Sequence, residues 1–388
     1  MTEPPLVPDK ADVVVIGGGV IGASILYHLS KRKIGAVLLE KGELISGSSG
    51  ACDGLIFLQS KKPGPHLSLA LVSAGQFANL KQELPFDVEH KVNGGMIAAE
   101  NERELEALER LVAEQRKTGL DISLLGGAQA REKESSLSEH IVGATFCPLD
   151  AQVNPLLLAH AFIRSAKEMG GQVITDSAVV AIEVRSNRVR SVRTKKGVTK
   201  TNTVVNAAGA HAPEIGKLLH LEIPIKPRRG QLLVTEPLPP IVGRGILSAT
   251  YIAAKFGSAP AETDCEGISI DQTASGNLIV GSTREFVGFN QGTTYRGMKG
   301  IAREAVRIVP QLRDRHIIRI FSGLRPYTPD GLPILGRVEG IDGFIMAAGH
   351  EGDGIALSPI TGEAMAEIID TGDTHVPISE FGLERFYS

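Results

Sequence analysis

The chain opens with a strand, a glycine-rich turn and a helix in close succession. An apolar, β-branched run over residues 12–16 is followed at once by Gly17, Gly19 and Gly22, which have the Gly-x-Gly-x-x-Gly spacing. Gly17 permits a tight turn, Gly19 lets the backbone approach a pyrophosphate, and Gly22 lets helix and strand pack closely. The start of the helix adds free N–H groups and a positive partial charge, which suit phosphates. This segment therefore predicts the first unit of a Rossmann-like sheet.

A second apolar run, over residues 36–39, ends at Glu40. A carboxylate at the end of the second strand accepts hydrogen bonds from the ribose hydroxyls and repels a 2′-phosphate. A glycine fingerprint alone also occurs by chance in glycine-rich turns. Because strand, helix, second strand and acid all follow in order, the unit predicts a bound adenine dinucleotide.

The length and charge of the chain narrow the class of protein to which it belongs. A chain of 388 residues is too long for one ordinary core, which predicts two domains or one large interleaved body. The net charge of −3 argues against a protein that binds nucleic acid through a basic surface. The sequence has no apolar run of the length, about 18 residues, that predicts a transmembrane segment. Residues 1–10 lack the apolar core of a signal peptide, and we interpret them as a lead-in.

The number and spacing of the cysteines indicate the cellular compartment of the protein. Cys52, Cys147 and Cys265 are odd in number and far apart in the sequence. We therefore expect no disulfide framework and no bound metal, and we place the protein in a reducing cytoplasm. A peripheral position at the inner face of the membrane is the alternative.

The hydrophobic spacing alternates between helices and strands, with one interruption. Apolar residues have helical spacing after Asn154-Pro155 and again after Gly354, which predicts a helix at each place. A β-rich block over 224–283 lies between segments that resemble nucleotide-binding ones. We predict an α/β fold in which a Rossmann-like domain is interleaved with a mainly antiparallel-sheet substrate domain. The nucleotide-binding domain is assigned to residues 1–90, 150–223 and 320–388, and the substrate domain to 91–149 and 224–319.

Four further segments suit a bound ligand. The loop over 45–54 and the strand end over 204–210 are rich in small residues, which let a flat ring or a dinucleotide lie against the backbone. The segment 323–333 is dense in turn formers around Arg325, and arginine binds a carboxylate through two parallel hydrogen bonds. The segment 347–354 leads into the last helix and offers a second set of bare N–H groups. Each segment also has an ordinary explanation, namely a flexible loop, close packing or a surface charge.

Taken together, these motifs resemble those of the D-amino-acid oxidase/glycine oxidase family of FAD-dependent amine oxidoreductases, over residues 11–369. The resemblance implies FAD bound in extended form by the Rossmann-like domain, and Arg325 as the group that binds the substrate carboxylate. Leu55 and Tyr251 are weaker pocket candidates that equally suit core packing, and His350 equally suits a structural neighbour of the flavin. The residues that the resemblance implies for FAD binding are Gly17, Gly19, Val20, Ile21, Gly22, Glu40, Lys41, Ser48, Ser49, Asp53, Gly54, Leu55, Val179, Ala208, Gly209, Gly323, Gly349, His350, Gly352, Asp353, Gly354 and Ile355.

Two segments, 52–64 and 251–255, resemble one branch of this family, the β subunits of opine oxidases, D-hydroxyproline dehydrogenase and hydrogen cyanide synthase. The branch implies an α subunit as partner and allows a second flavin, FMN, at the subunit interface. Lys61, Lys62 and Lys255 are cations that suit its phosphate, although solvated surface lysines are the simpler interpretation of each.

The chain also departs from glycine oxidase proper. At Gly352 that family member has a second arginine facing the substrate carboxylate, and the segment 256–266 is an insertion. Both departures leave the identity of the substrate open.

We therefore predict oxidation of the C–N bond of an amino acid, an imino acid or an opine-type secondary amine by hydride transfer to the flavin. The alternatives are a self-sufficient glycine or D-amino-acid oxidase that uses oxygen, an NAD-dependent dehydrogenase, and a non-catalytic subunit that only holds FAD. The small residues over 206–210 and the glycines after His350 argue against a nicotinamide enzyme. Arg325 argues against a non-catalytic role.

Overall fold

The computed structural model describes residues 7–256 and 267–387. Within these ranges the strands are β1 Val13–Ile16, β2 Ala36–Leu39, β3 Leu55–Ile56, β4 Lys91–Val92, β5 Gly95–Ala99, β6 Ser123–Gly126, β7 Gly143–Cys147, β8 Ala151–Gln152, β9 Gln172–Ile174, β10 Val179–Arg185, β11 Arg188–Thr194, β12 Gly197–Lys200, β13 Thr203–Asn206, β14 Lys226–Thr235, β15 Gly245–Ser248, β16 Ser269–Gln272, β17 Leu278–Gly281, β18 Ile317–Tyr327, β19 Ile334–Arg337 and β20 Phe344–Ala348. The α-helices are α1 Val20–Lys31, α2 Pro65–Glu83, α3 Glu102–Lys117, α4 Gly127–Lys133, α5 Pro155–Glu168, α6 Ala212–Lys217, α7 Ala249–Lys255, α8 Tyr295–Ile308 and α9 Gly354–Thr371. Residues 1–6 of the lead-in, and residues 257–266 of the insertion with Cys265, lie outside the described residues.

The glycine-rich turn belongs to a six-stranded sheet with the order β19-β20-β13-β1-β2-β9. Its neighbours run parallel, except that β19 is antiparallel to β20. Val13 and Val15 pack in one apolar cluster with α1, α5 and α9, whereas Val14 and Ile16 pack towards the small antiparallel sheet β10-β11-β12. Strands covered on both faces are the reason for the continuous apolar runs in the sequence. The Rossmann-like prediction is confirmed.

A second, eight-stranded sheet has the order β18-β14-β17-β16-β15-β5-β7-β6. Its pairs are antiparallel apart from β15 and β5, which run parallel. Helix α8 contacts β14 and β17, and α4 contacts β6 and β7. This sheet is the mainly antiparallel element that the sequence predicts.

The segment around Arg325 differs from the prediction. The turn formers over 323–327 continue the long strand β18, and the turn itself starts at Thr328, whose carbonyl accepts a hydrogen bond from Gly331 N–H at 3.0 Å. Pro326 is tolerated because β18 is an edge strand, where one side of the backbone needs no ladder hydrogen bonds. Arg325 therefore projects from a strand paired along its length with β14 rather than from a turn.

The predicted helices are found where the sequence placed them. Asn154 caps α5, since its side chain accepts from the N–H groups of Leu156 and Leu157. In α9, Pro359 is the sixth of 18 residues and therefore lies in the first half of the helix. Among its described residues, the predicted β-rich block includes a short helix, α7, which begins where the Ser248 hydroxyl accepts from Tyr251 N–H.

The sheets follow the predicted interleaving. The six-stranded sheet uses segments 1–90, 150–223 and 320–388, and the eight-stranded sheet uses 91–149 and 224–319 except for β18, which crosses residue 320. The domain boundaries themselves stay a prediction. Among the described residues, no helix combines the length and the apolar character needed to cross a bilayer.

Candidate active site

The turn between β1 and α1 is shaped by contacts that only glycine allows. Gly17 has a φ of +113°, and a Cβ there would lie 2.5 Å from the carbonyl oxygen of Ala207. A Cβ on Gly22 would lie 1.9 Å from the carbonyl oxygen of Gly17. Helix α1 begins after Gly19 without a capping side chain from that residue, and Val20 N–H donates to the Ser49 hydroxyl at 3.0 Å. The turn has the geometry that a pyrophosphate requires.

Glu40 lies at the carboxyl end of β2, beside this turn. Its Oε2 accepts a hydrogen bond from Gly18 N–H at 2.6 Å, and its Oε1 accepts one from Gly42 N–H at 2.9 Å. Each carboxylate oxygen has a second acceptor position. Glu40 therefore fixes the glycine-rich turn and retains acceptor capacity for hydroxyl groups.

A cavity of about 600 Å³ runs from this turn to the ends of β18 and β20. Most of the predicted site residues, from distant parts of the sequence, lie along its wall. They are Gly17, Gly19, Val20, Ile21, Glu40, Lys41, Ser48, Ser49, Asp53, Val179, Ala208, Gly209, Tyr251, Gly323, Arg325, His350, Gly352, Gly354 and Ile355.

Five predicted residues lie outside this wall, each for a physical reason. Gly22 serves the packing of α1 on β1, and Gly349 has a φ of +82° beside Thr328. Gly54 N–H donates to Asp271 Oδ2 at 3.1 Å, and the Leu55 side chain packs over Gly245 in the substrate-domain core. Asp353, between two glycines of the wall, turns its carboxylate towards buried lysines.

Arg325 is held rigidly at the far end of the cavity. Its Nη1 donates to the carbonyl of Thr283 at 3.1 Å, and its Nη2 donates to the Ser282 hydroxyl. The guanidinium lies flat against β14 because Gly230 has no Cβ, which would lie 2.2 Å from Nη1. Two of its five N–H groups are thus used for support by described residues. The others remain for a carboxylate, in the fork geometry that arginine provides.

Glu351, which the sequence analysis missed, is the carboxylate that balances the charge of the arginines at this end of the cavity. It is buried, lies 3.8 Å from Arg325 Nε and accepts a hydrogen bond from Arg228 Nη2. Burial disfavours its charged form, but the attraction of Arg228 and Arg325 prevails and lowers its pKa to about 2. The sequence offered one signal for this role, since Glu351 lies in a glycine-rich segment, one residue before Gly352.

Tyr251 brings a further arginine to the site. The guanidinium of Arg284 lies 4.0 Å from the centre of the Tyr251 ring, a cation–π arrangement. Arg284 was not predicted, and its charge is one of those that lower the pKa of Arg325, after burial. The structure thus places a second cation, Arg284, beside Tyr251 and close enough to Arg325 to act on it.

His350 is unsuited to proton transfer near neutral pH. Its side chain is buried, and its Nε2 lies 3.1 Å from the Thr361 hydroxyl. Burial lowers its pKa to about 3, so the imidazole is neutral. This supports the interpretation of His350 as a structural part of the wall.

The lysines of the branch-specific segments are not where the sequence analysis put them. Lys61 and Lys255 are both buried, and each places its Nζ 2.8 Å from Asp353 Oδ1. Their ammonium groups are thus neither solvated nor directed at a phosphate. Lys62 donates from Nζ to the carbonyl of Asp330 at 2.6 Å. We refer to Lys61, Lys255, Asp353 and the adjacent His66 as the Asp353 cluster.

A second, open cleft of about 890 Å³ shares Ser49 and Cys52 with the first cavity. Asp271 lies in its wall, and no described residue hydrogen-bonds its Oδ1. Burial, with a smaller contribution from Asp53, raises the pKa of Asp271 from its usual 3.8 to about 7. The cleft therefore contains a carboxyl group that titrates near neutral pH.

We expect Asp271→Asn to stabilise the protein at neutral pH. Because the folded state binds the extra proton between about pH 4 and 7, the stability of the parent falls as pH rises through that window. The amide does not titrate, so the variant's advantage in free energy of unfolding should grow by up to ~1 kcal/mol per pH unit. Urea unfolding at pH 4.5 and 7.5 measures this. Asp87→Asn, an exposed carboxyl of the same cleft, is the control, and an equal gain there would contradict the assignment.

The first cavity fits FAD. Its glycine turn would suit a pyrophosphate, and Glu40 retains acceptor positions for ribose hydroxyls. The glycines at positions 323 and 352 would leave room for a flat ring against the wall. A parallel sheet with the cavity across the carboxyl ends of its strands defines a dinucleotide-binding oxidoreductase. A model of the family described as FAD dependent oxidoreductase matches residues 12–368. The chain belongs to this family, and it is an FAD-dependent oxidoreductase.

Relatives and solved structures agree over nearly the full length. The chain is 32% identical to the hydrogen cyanide synthase subunit HcnC of Pseudomonas protegens, covering 97% of this chain and 96% of that one. It is 31% identical to the glycine oxidase of Geobacillus kaustophilus, over 97% of each chain. The crystal structure of L-proline dehydrogenase from P. horikoshii superposes with a TM-score of 0.89 at 27% identity, covering 98% of this chain and 99% of that one.

Proposed function

We propose that the protein oxidises the C–N bond of an amino acid, an imino acid or an opine-type secondary amine. The observation that carries the proposal is Arg325, whose guanidinium is braced by Ser282 and Thr283 at one end of the FAD cavity with N–H groups left for a carboxylate. FAD supplies the hydride acceptor when bound, and the protein supplies position and electrostatics. The names of the relatives, a glycine oxidase and a proline dehydrogenase, support an amino- or imino-acid substrate.

The acid–base properties of the wall support amine oxidation without a protein base. Glu351 is ionised but tied to Arg228, and with a pKa of about 2 it is a weak base. His350 is neutral with a pKa of about 3 and is bonded to Thr361. Neither of these two groups is suited to take a proton from the substrate amine, and a dry pocket favours the unprotonated amine because burial lowers its pKa.

Turnover with an artificial electron acceptor tests this proposal. A panel of amino acids, imino acids and opines, each paired with its decarboxylated amine, is supplied to the FAD-loaded protein. We expect activity only with members that carry a carboxylate beside the C–N bond. Equal rates with the decarboxylated partners would contradict the role given to Arg325.

We also propose that the chain acts as the β subunit of a multisubunit dehydrogenase in the cytoplasm, beside an α subunit. The relative from Pseudomonas protegens is named as a subunit, which supports this role. The proposal includes a second flavin, FMN, for which the second cleft offers space next to the FAD cavity, with which it shares Ser49 and Cys52. With an acceptor that takes electrons one at a time, a flavin in this cleft would serve as an intermediate carrier beside FAD. Electron transfer to a membrane carrier would place the complex at the inner membrane face.

Flavin counting on the purified chain and on the co-expressed complex separates the alternatives. We expect FAD alone on the isolated chain with slow reoxidation in air, and additional flavin with faster acceptor turnover in the complex. Light scattering gives the subunit composition. A fully active isolated chain with one flavin and rapid peroxide release would instead make it a self-sufficient glycine or D-amino-acid oxidase. Flavin that no substrate bleaches would make it a non-catalytic FAD-holding subunit.

A further inference from the structure

The Asp353 cluster lies directly behind the part of the cavity wall that precedes α9. Asp353 stands between Gly352 and Gly354, which both line the cavity, while its own side chain is only slightly exposed and faces away. Lys61 and Lys255 reach its Oδ1 from two other elements, the loop after β3 and the end of α7. Three distant segments thus meet at one carboxylate beside the FAD site.

The lysines keep Asp353 from its usual role at a helix start. An aspartate in the residue before a helix normally accepts hydrogen bonds from the first N–H groups of that helix. Asp353 occupies this position for α9, yet its side chain makes no capping hydrogen bond. Its carboxylate oxygens instead contact Lys61, Lys255 and His66. The first N–H groups of α9 are thus not capped by Asp353, and Gly354 and Ile355 at this helix start line the cavity.

The charges of the cluster favour an anion in the cavity. Burial opposes ionisation of Asp353, but Lys255 and Lys61 outweigh it and hold its pKa well below the usual range. Burial lowers the pKa of His66, which leaves its imidazole neutral. The further acid that acts on Lys61 is Asp150, whose carboxylate already accepts from Leu58 N–H and from the Gln59 amide. Burial lowers the pKa of Lys61 itself, against the attraction of Asp353. Among the described residues, Asp353 is thus the carboxylate that the ammonium groups of both lysines contact next to the wall.

We propose that Lys61 and Lys255 are positioning residues for flavin reduction. By drawing the Asp353 carboxylate off the start of α9, they keep the helix N–H groups free to face the flavin, and their shared charge favours the negative charge that the flavin gains when it is reduced. The role concerns FAD alone and does not depend on the substrate class proposed above.

The shared arrangement makes the proposal testable, because either lysine can be removed while Asp353 keeps one partner. Sulfite is the probe, since it forms an N–S bond with N5 of oxidised flavin and its electron pair leaves a negative charge on the ring. In FAD-loaded Lys255→Met and Lys61→Met we expect sulfite binding to weaken on the order of tenfold, because a nearby unit charge is lost. The flavin midpoint potential, measured against reference dyes without substrate, should shift downward in both variants.

Two matched variants separate this role from mere packing. Lys255→Arg retains the charge and should restore sulfite affinity to within about twofold of the parent. Lys62→Met removes the neighbouring lysine, which bonds the Asp330 carbonyl instead of Asp353, and should change neither readout. Unchanged sulfite affinity and potential in FAD-loaded Lys255→Met, or an equal loss in Lys62→Met, would overturn the proposal. If Lys61→Met does not fold, Lys255→Met decides the outcome.

Discussion

Arg325→Ala is expected to leave the protein yellow and to abolish most of its activity towards carboxylate substrates. The guanidinium is braced by Ser282 and Thr283 on one side, so it is preorganised to meet a carboxylate on the other. Loss of a buried charged partner costs about 3–5 kcal/mol, which corresponds to about two to four powers of ten in kcat/KM. Glu351 keeps Arg228 as its partner, so the fold should survive.

The matched variants for this prediction differ in charge and geometry. Arg325→Lys retains a point charge without the fork and should recover only part of the activity. Arg190→Ala removes an exposed arginine from β11 and should leave kcat/KM unchanged. Steady-state kinetics together with the flavin spectrum measures both effects. Undiminished turnover in Arg325→Ala would remove this residue from the site.

Glu40→Ala is expected to weaken FAD binding without unfolding the chain. Its carboxylate accepts from Gly18 and Gly42 N–H and retains acceptor positions towards the cavity. Loss of charge-assisted hydrogen bonds costs about 1.5–3 kcal/mol, or about 10- to 150-fold in affinity. Fluorescence titration of the FAD-free protein with FAD gives the dissociation constant, and thermal unfolding of the same sample reports the fold.

Two further variants locate the cause of that weakening. Glu40→Gln keeps one acceptor oxygen and should fall between the parent and the alanine variant. Glu43→Ala removes an exposed carboxylate three residues away and should bind FAD like the parent. FAD retained by Glu40→Ala as tightly as by the parent would show that this carboxylate does not hold the cofactor.

The features that follow from local sequence rules were predictable. Gly17 and Gly22 are required by direct backbone contacts, and the cap at Asn154 marks the start of α5, so short-range patterns identified both. The interleaving of two sheets was also predictable, because apolar runs and alternating strands occupy separate stretches of the chain. The conformation around Pro326 could not be predicted from local patterns. Proline is typical of turns, but Pro326 lies in strand β18, because that strand is paired with β14 along one edge.

The electrostatics of the site depend on contacts between distant residues. Lys61 looks like a surface charge in a polar, proline-containing loop, and only its approach to Asp353, nearly 300 positions later in the sequence, explains its burial. The pairing of Glu351 with Arg228 is likewise set by the position of β14 beside the cavity. Such pairs have no spacing rule, which is why neither the lysine contacts of Asp353 nor the role of Glu351 could be predicted.

Anaerobic mixing of the FAD-loaded protein with a turned-over substrate tests the central claim most directly. We expect the oxidised flavin spectrum to bleach in a single exponential phase, with one equivalent of 2-oxo acid or cyclic imine formed per flavin reduced. The Arg325→Ala protein, loaded to the same FAD content, should bleach at least about a hundredfold more slowly at equal substrate concentration. A flavin that stays oxidised with every carboxylate-bearing amine of the panel, or that bleaches equally fast in Arg325→Ala, would contradict the account.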